Sequence, residues 1–588
     1  MSEEYTHMYK VRHSLAHLLA RAVLDVRPDA KPTIGPAIEN GFYYDFAFDE
    51  PFSDKELKRV QKQMKKIKNS WHGFEKRNVT ADEARDFFKD NPFKLELIDE
   101  LAQKGEDITL HISGEGKTEF IDLCRGGHVD DMASDIDTDQ FVLDRVAGAY
   151  WRGDESNTML TRIYGLAFEN REKLDEYIQQ REEAKKRDHR KLGKELDLFT
   201  FSDLVGAGLP LWTPKGTLIR DLIIEKIQNI QKDFGYQKVT IPHITKKDLY
   251  ETSGHWAKFG DELFKVRGQS DQEFVMKPMN CPHHTQIYAS QPRSYRDLPV
   301  RFMELGVVYR DEQAGELLGL SRVRSISMDD GHLFCMPDQI EEEVNNIVDI
   351  IRQFYTSLDM FNEGDFHVSL SVRDSENLDK YLGVDENWEI AEQALKTIAE
   401  KNNLPFKRVE GEAAFYGPKL DFMFKDALGR EWQLATAQID FVMPERFGLE
   451  YTDSDGESKT PVMIHRAIAG SLERFLSVII EHFAGHFPVW LSPVQAIILP
   501  ISEEHHGDYA QEVLSQLTSA DVRAEIAFDG SLGKRIRNAK MQKAPYIIVL
   551  GDAEKESQTL TIELRNGDKL ESVTIADFIE RISKECAS

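Results

Sequence analysis

The chain has 588 residues, 102 acidic side chains against 74 basic ones, and a formal net charge of −28. That length supports three or more domains with adequate cores, and the absence of any run of about 18 apolar residues argues against membrane insertion. Four cysteines, Cys124, Cys281, Cys335 and Cys586, are too few and too dispersed for a disulfide framework, and MSEEYTHMYK lacks the charged and apolar regions of a signal peptide, so a reducing cytoplasm is the expected setting.

Up to about residue 165, helical and strand-like patterns alternate. HSLAHLLA puts His13 and His17 four residues apart, on one face of a predicted helix, and IDLCRGGHV offers Cys124 and His128. Next comes FENREKLDEYIQQREEAKKRDHRKLGKELDLF, charged, periodic and free of proline, which predicts a connecting helix. From Leu196 to about Pro488, strand-rich stretches alternate with a few helices. FGYQKVTIP reads as a helix end, a turn at Gly235 and a strand stopped by Pro242. VVYRDEQAGELLGLSRVRSISMDDGHLF holds Arg310 and Arg322 on either side of a hairpin loop, where two guanidinium groups could converge on one phosphate. Glu312, two residues beyond Arg310, would share its strand face and could reach an adenine amino group. HRAIAGSLERF reads as a glycine-containing turn into a helix with Arg474. After HFPVWLSP, the runs AIILPI, AEIAF and APYIIVLG alternate with helices, which predicts βαβ units and a sheet covered on both faces.

The acidic total is unfavourable to a nucleic-acid partner, because phosphate neutralisation by Lys and Arg drives such binding. Two basic clusters are local exceptions, Lys185, Lys186, Arg187, Arg190 and Lys191, and Lys534, Arg535, Arg537, Lys540 and Lys543. The bland reading of each is a solvated helix face.

FGYQKVTIP, the arginine hairpin and HRAIAGSLERF resemble, in order, motifs 1, 2 and 3 of the class II aminoacyl-tRNA synthetases. Cys281 in MKPMNCPHH, His332 in SMDDGHLF and His465 in VMIHRAIAGS match the zinc ligands of the threonyl-tRNA synthetase family, a resemblance that covers nearly the whole chain. It implies a multidomain α/β and α+β fold: an α+β editing domain over residues 1–165, a linker helix over 166–195, a class II antiparallel-sheet catalytic domain over 196–490 and an α/β anticodon-binding domain over 491–588. The implied reaction joins L-threonine to ATP, with Mg²⁺ on the leaving pyrophosphate, and passes the threonyl group to tRNA(Thr). Arg310 would hold the α-phosphate, Arg322 and Arg474 the outer phosphates, and Glu312 the adenine. Asp330, Tyr416, Gln433 and Gln438 match positions of the amino-acid pocket.

Chemistry explains the metal and a second site. Valine is nearly isosteric with threonine, and an apolar pocket separates such pairs by only about a hundredfold. One zinc per subunit, held by three protein ligands, keeps a coordination position open for threonine's amino and hydroxyl groups. Serine keeps the hydroxyl and loses one methyl, worth about 1–3 kcal/mol, so a hydrolytic site for seryl-tRNA is expected. His13, His17, Cys124 and His128 match the HxxxH and CxxxH signatures of the family's editing domain, and Lys94 and Asp122 match further editing positions. Two histidines and a cysteine could also hold a metal there.

Glu556 and Arg565 match positions that read anticodon bases, and motif 1 implies a homodimer. Several positions depart from the family pattern. Ile326 replaces an aromatic residue and Met328 a glutamine beside the adenylate, RGGH replaces RGPH before His128, and the chain starts near the editing helix where many bacterial relatives first have a ubiquitin-like domain. Two other readings compete with the ligase: a tRNA deacylase with a disabled activation site, and an RNA-binding paralogue without chemistry.

Overall fold

The Thr6 hydroxyl accepts the Tyr9 N–H at 3.2 Å and opens helix α1 (His7–Val26), satisfying one of the donors that a helix start leaves unpaired. Val11, Leu15, Leu18, Leu19 and Val23 recur at helical spacing and pack against Phe42, Tyr44 and Phe46 of strand β1 (Gly41–Ala47). His17 is buried on this helix, one turn after His13. Strands β2 (Phe74–Val79), β3 (Ile108–Ser113) and β4 (Phe120–Leu123) form an antiparallel sheet, with helix α2 (Pro92–Lys104) between the first two in the chain. Strands β5 (Phe141–Tyr150) and β6 (Met159–Ala167) return to the first sheet, in the order β1–β6–β5.

The computed structural model describes residues 5–269 and 272–587, and the chain divides between residues 182 and 183 into two units. The expected connecting helix is in fact two, α3 (Arg171–Arg187) and α4 (His189–Glu195). Asp188 breaks it: its backbone leaves the helical region (φ −46°, ψ 120°) and its carboxylate accepts the Arg190 N–H at 2.8 Å. An aspartate that can cap a new helix competes with continuation of the old one, and charge periodicity does not report that competition.

In the second unit, helix α5 (Pro214–Asp233) ends before Gly235, whose φ of +78° turns the chain into β7 (Gln237–Lys238), a shorter strand than the sequence predicts. There follow helix α6 (Cys281–Ala289), strands β8 (Val300–Tyr309) and β9 (Ser325–Cys335), helix α7 (Ile340–Thr356), strand β10 (Phe366–Val372), helix α8 (Asp385–Lys401), strands β11 (Phe406–Glu410), β12 (Lys419–Lys425), β13 (Glu431–Asp440) and β14 (Val462–Ser471), and helix α9 (Leu472–His482). The sheet order is β7–β8–β9–β14–β13–β12–β10–β11, parallel only in its two edge pairs. Ile223 of α5, Val344, Ile347 and Ile351 of α7, Leu333 and Cys335 of β9 and Phe475 of α9 share one core. Strand alternation therefore turns the even-numbered residues of β9 to the opposite face.

Two local readings are corrected. Strand β8 stops at Tyr309, so Arg310 and Glu312 lie in the loop and not on a shared strand face; the Arg310 N–H donates to the Arg324 carbonyl at 3.0 Å, a bond in register with the β8–β9 ladder, and the chain leaves that register before Glu312. In HRAIAGSLERF the bend is contained within the strand: β14 extends to Ser471, Gly470 takes a φ of +60° where the register with β9 shifts, and α9 follows at once.

The last segment holds strand β15 (Ala496–Pro500), helix α10 (Glu503–Ser519), strand β16 (Ala524–Ile526), helix α11 (Leu532–Met541), strand β17 (Tyr546–Leu550), helix α12 (Asp552–Ser557), strands β18 (Thr559–Leu564) and β19 (Lys569–Thr574) and helix α13 (Ile575–Ala587). The order is β16–β15–β17–β18–β19. The first three strands are parallel, as βαβ units require, and the last two are antiparallel. Helices α10 and α13 cover one face and α11 the other. All four cysteines are free, and no helix among the described residues is long and apolar enough to cross a membrane.

Candidate active site

The even-numbered face of β9 carries the site. Ile326 and Met328 line one end, and Asp330 and His332 follow on the same face. At the His332 end, Cys281 opens α6 and His465 stands opposite His332 in the β9–β14 ladder. The three side chains are buried and offer one thiol sulfur and two ring nitrogens, all within 4.8 Å of one another.

Hydrogen bonds outside the triad settle which nitrogens face inward. His284 Nε2 lies 3.3 Å from Glu304 Oε2, and its Nδ1 lies 2.8 Å from His332 Nδ1. With His284 donating to the carboxylate, His332 donates Nδ1–H to His284 and keeps its Nε2 lone pair free. His465 Nε2 donates to Asp440 Oδ2 at 2.9 Å, which frees Nδ1, and the other Asp440 oxygen accepts the Val442 and Met443 N–H groups at 2.7 and 2.9 Å. Burial, then the neighbouring His284 and His465, hold His332 well below the ordinary imidazole range. Burial, then Asp330 and Asp440, push the Cys281 thiol well above its usual range. Two imidazoles and a buried thiol, with a carboxylate aiming each imidazole, are a donor set suited to zinc, whose charge would stabilise the thiolate that burial disfavours.

Asp330 accepts the Asn280 amide at 2.7 Å, and burial raises its pKa. The Tyr416 ring lies 5.1 Å from that of His465, Gln438 donates to the Gly417 carbonyl at 3.2 Å, and Gln433 donates to Asp421 at 2.7 Å. Asp440, His284, Glu304 and Asn280 were not singled out in the sequence, although His284 and Asn280 flank Cys281 in MNCPHH and Asp440 ends WQLATAQID.

At the Ile326 end, a cavity of about 240 Å³ is lined by Arg310, Arg322, Arg474, Ile326, Met328 and Gln433, among others. Arg322 pairs with Glu312 at 2.7 Å and with Glu316 at 3.2 Å, so the Glu312 carboxylate is engaged by an arginine. Arg474 Nε donates to the Ser321 carbonyl at 3.3 Å. Burial, then the charges of Arg310 and Arg322, lower the Arg474 pKa. Three guanidinium groups line one cavity, and two of them disfavour the charge of the third, so the site is set up to gain from an anion.

A second constellation lies in the first unit. Cys124 Sγ is 3.5 Å from His13 Nε2 and 3.3 Å from His128 Nε2, and the four residues His13, His17, Cys124 and His128 could together hold a metal ion. Beneath them, Lys94 and Asp122 form a buried ion pair, Tyr44 Oη donates to Asp122 at 2.6 Å, and His17 Nε2 lies 3.7 Å from the same carboxylate. Burial, followed by the other histidines, drives the His128 pKa far down, and burial pushes Cys124 up to about 12. The cluster is thus neutral imidazole and thiol over a buried charge pair. Tyr44 and His111, whose Nδ1 is 3.0 Å from the Cys124 carbonyl, join a site that the motifs alone did not reveal.

In the last segment, Glu556 is exposed on α12, whereas the Arg565 guanidinium donates to the carbonyls of His486, Phe487 and Lys543 and to Ser492 Oγ. The basic cluster on α11 is not one solvated face, since Arg535 is buried and donates to the Pro500, Ile501 and Ala527 carbonyls.

Residues 264–483 match the family model of the tRNA synthetase class II core domain (G, H, P, S and T), and residues 495–585 that of the anticodon binding domain. The threonine–tRNA ligase of Gloeobacter violaceus is 48% identical over 549 residues, 91% of this chain and 86% of its own length. That of Cytophaga hutchinsonii is 47% identical over 541 residues, 91% of this chain and 82% of its own. Among solved structures, the RNA binding domain of threonyl-tRNA synthetase from Cryptosporidium parvum is similar with a TM-score of 0.63 and 37% identity, covering 68% of this chain and 98% of its own.

Proposed function

The chain belongs to the threonine–tRNA ligase family of class II synthetases, and from that premise we propose how its residues divide the work of joining L-threonine, ATP and tRNA. The observation that carries the reading is the single face of β9. Positions two apart on a strand lie about 7 Å apart, so Met328 in the arginine cavity and Asp330 beside the triad put a nucleotide and an amino acid within reacting distance.

Arg310, Arg322 and Arg474 hold the phosphates of ATP, with Mg²⁺ neutralising the pyrophosphate that leaves. Glu312 has two roles open to it, the adenine amino group and the fixing of Arg322. Asp330 orients the threonine amino and hydroxyl groups, with Tyr416, Gln433 and Gln438 shaping the pocket. Cys281, His332 and His465 would hold zinc, which when bound supplies an open coordination position that a hydroxyl can enter and a methyl cannot. Threonine's own carboxylate is the nucleophile, so the chain provides position and charge and no covalent intermediate.

The first unit we assign to hydrolysis of seryl-tRNA(Thr), with His13, His17, Cys124 and His128 around the ester and Lys94 and Asp122 fixing the base of the pocket. Within the chain, residues 1–165 form the editing domain, 166–195 the linker, 196–490 the catalytic domain and 491–588 the anticodon-binding domain, where the exposed Glu556 faces the tRNA, while the Arg565 guanidinium is spent on backbone carbonyls and is not free to read a base. A cytoplasmic homodimer completes the reading.

ATP–pyrophosphate exchange with threonine, serine or valine, alongside a zinc assay, tests it. The expected result is exchange with threonine, weaker exchange with serine and none with valine. No exchange in folded, zinc-loaded protein would hand the lead to the deacylase.

A further inference from the structure

We propose that His189 is a positioning residue for amino-acid activation, clamping the loop between β8 and β9 onto α9 so that Arg322 and Arg474 face one cavity. The proposal rests on reading that cavity as the ATP site.

His189 is the first residue of α4 and is 4% exposed. Its Nδ1 lies 2.6 Å from Glu481 Oε1 near the end of α9, and its backbone N–H donates to the same oxygen at 3.0 Å. On the other side of the ring, the Leu320 backbone N–H points at Nε2 from 3.0 Å. A backbone N–H can only donate, so Nε2 carries the lone pair and Nδ1 the proton. The ring is therefore a two-ended bridge with a fixed tautomer.

Asp188, His189 and Glu481 have the composition of a metal site. Both His189 nitrogens are spent on protein groups, however, and the second Glu481 oxygen accepts from Arg430. The cluster works as a clamp.

The loop is shaped to meet it. Gly319 has a φ of +50°, and a Cβ there would stand 2.2 Å from His189 Nε2 and 2.9 Å from Arg190 Cγ. Only glycine brings this backbone so close to the ring. The following residues carry the contact onward: Leu320 is fully buried, Ser321 Oγ lies 2.9 Å from Ser477 Oγ, the Ser321 carbonyl accepts Arg474 Nε at 3.3 Å, and Arg322 enters the cavity. A bond made at Leu320 thus fixes the segment two residues before one phosphate-binding arginine and beside the carbonyl that holds another. A misplacement of about 1 Å at such a distance can cost about a hundredfold in rate.

The two ends of the bridge can be cut separately. His189→Asn keeps a donor near Nδ1 for Glu481 and removes the acceptor for Leu320, whereas His189→Gln offers an acceptor near Nε2 and removes the donor. Threonine-dependent pyrophosphate exchange is measured on the full chain with ATP and threonine varied in turn. We expect His189→Asn to raise KM for ATP about tenfold or more, with KM for threonine unchanged, and His189→Gln to stay near wild type in both, because the backbone N–H of residue 189 still holds Glu481 while the glutamine accepts from Leu320. Equal behaviour of the two variants, or a joint rise for ATP and threonine that tracks the loss of thermal stability, overturns the proposal. If His189→Asn does not fold, Gly319→Ala displaces the same contact from the loop side and must give the same ATP-specific rise; an unchanged KM for ATP there also overturns it. Wild-type protein without threonine-dependent exchange overturns the ATP-site reading instead.

Discussion

A cysteine and two histidines bind a metal well only when something else aims them, and here both candidate histidine ligands have such a partner. Asp440 fixes His465, and Glu304 through His284 fixes His332. Loss of such an orienting group typically costs 10–100-fold in metal affinity. Asp440→Asn, which replaces an anionic acceptor by a neutral amide, is expected to weaken zinc binding by roughly that factor, read by titration against a competing chelator. Cys281→Ala should lose zinc and threonine activation together; full zinc retention would remove Cys281 from the ligand set. The candidate ligands were legible because MNCPHH, SMDDGH and VMIHRA resemble short motifs of a known family. Their partners come from other elements and carry no local mark.

At the level of elements, β9 and β14 are joined by more than their ladder. Arg466 is fully buried on β14, donates to Asp329 on β9 at 2.9 Å and lies over the Tyr236 ring. Asp329 also accepts the Ile468 and Ala469 N–H groups at 2.8 and 3.1 Å. A Cβ on Gly331 would stand 2.2 Å from Arg466 Nε, so the strand makes room for this guanidinium. Removing one partner of a buried pair leaves a charge uncompensated, at a cost of about 3–5 kcal/mol. Arg466→Ala should therefore lower the unfolding free energy by about that amount in urea denaturation, and a change under 1 kcal/mol would show that water reaches the pair. Elements read from the pattern survived in kind, such as α1 and the strands β15 and β17. Ends set by competition, such as Asp188 against helix continuation, were not visible in the pattern.

At the level of the whole molecule, the last segment is fastened to the end of the catalytic body by cations on backbone carbonyls. Arg565 takes those of His486 and Phe487, while Lys543 donates to His486 Nε2 at 3.1 Å. Burial, then Lys543 and Arg565, hold the His486 pKa down at about 4, against about 6.5 when unfolded. Between those values the unfolded chain binds the proton and the folded chain does not. This contribution is therefore full above pH 6.5 and is lost as pH falls towards 4. The denaturation midpoint of the second unit is expected to fall between pH 7.5 and pH 5, roughly the window these values define, and His486→Gln should flatten that fall. An identical slope in the variant would assign the effect to other groups.

The sequence by itself determined the fold class and the order of the motifs, and short motifs resembling those of a known family singled out Cys281, His332 and His465, and His13, His17, Cys124 and His128, because each motif is written in residues a few positions apart. The tertiary structure alone decided that β9 puts the arginine cavity and the triad on one face, that Asp440, His284 and Glu304 aim the ligands, and that His189 meets Leu320. The side-chain relations among them join residues 20 to 131 positions apart. Local periodicity and spacing carry information over a turn or a strand, and only the packed chain relates what lies beyond.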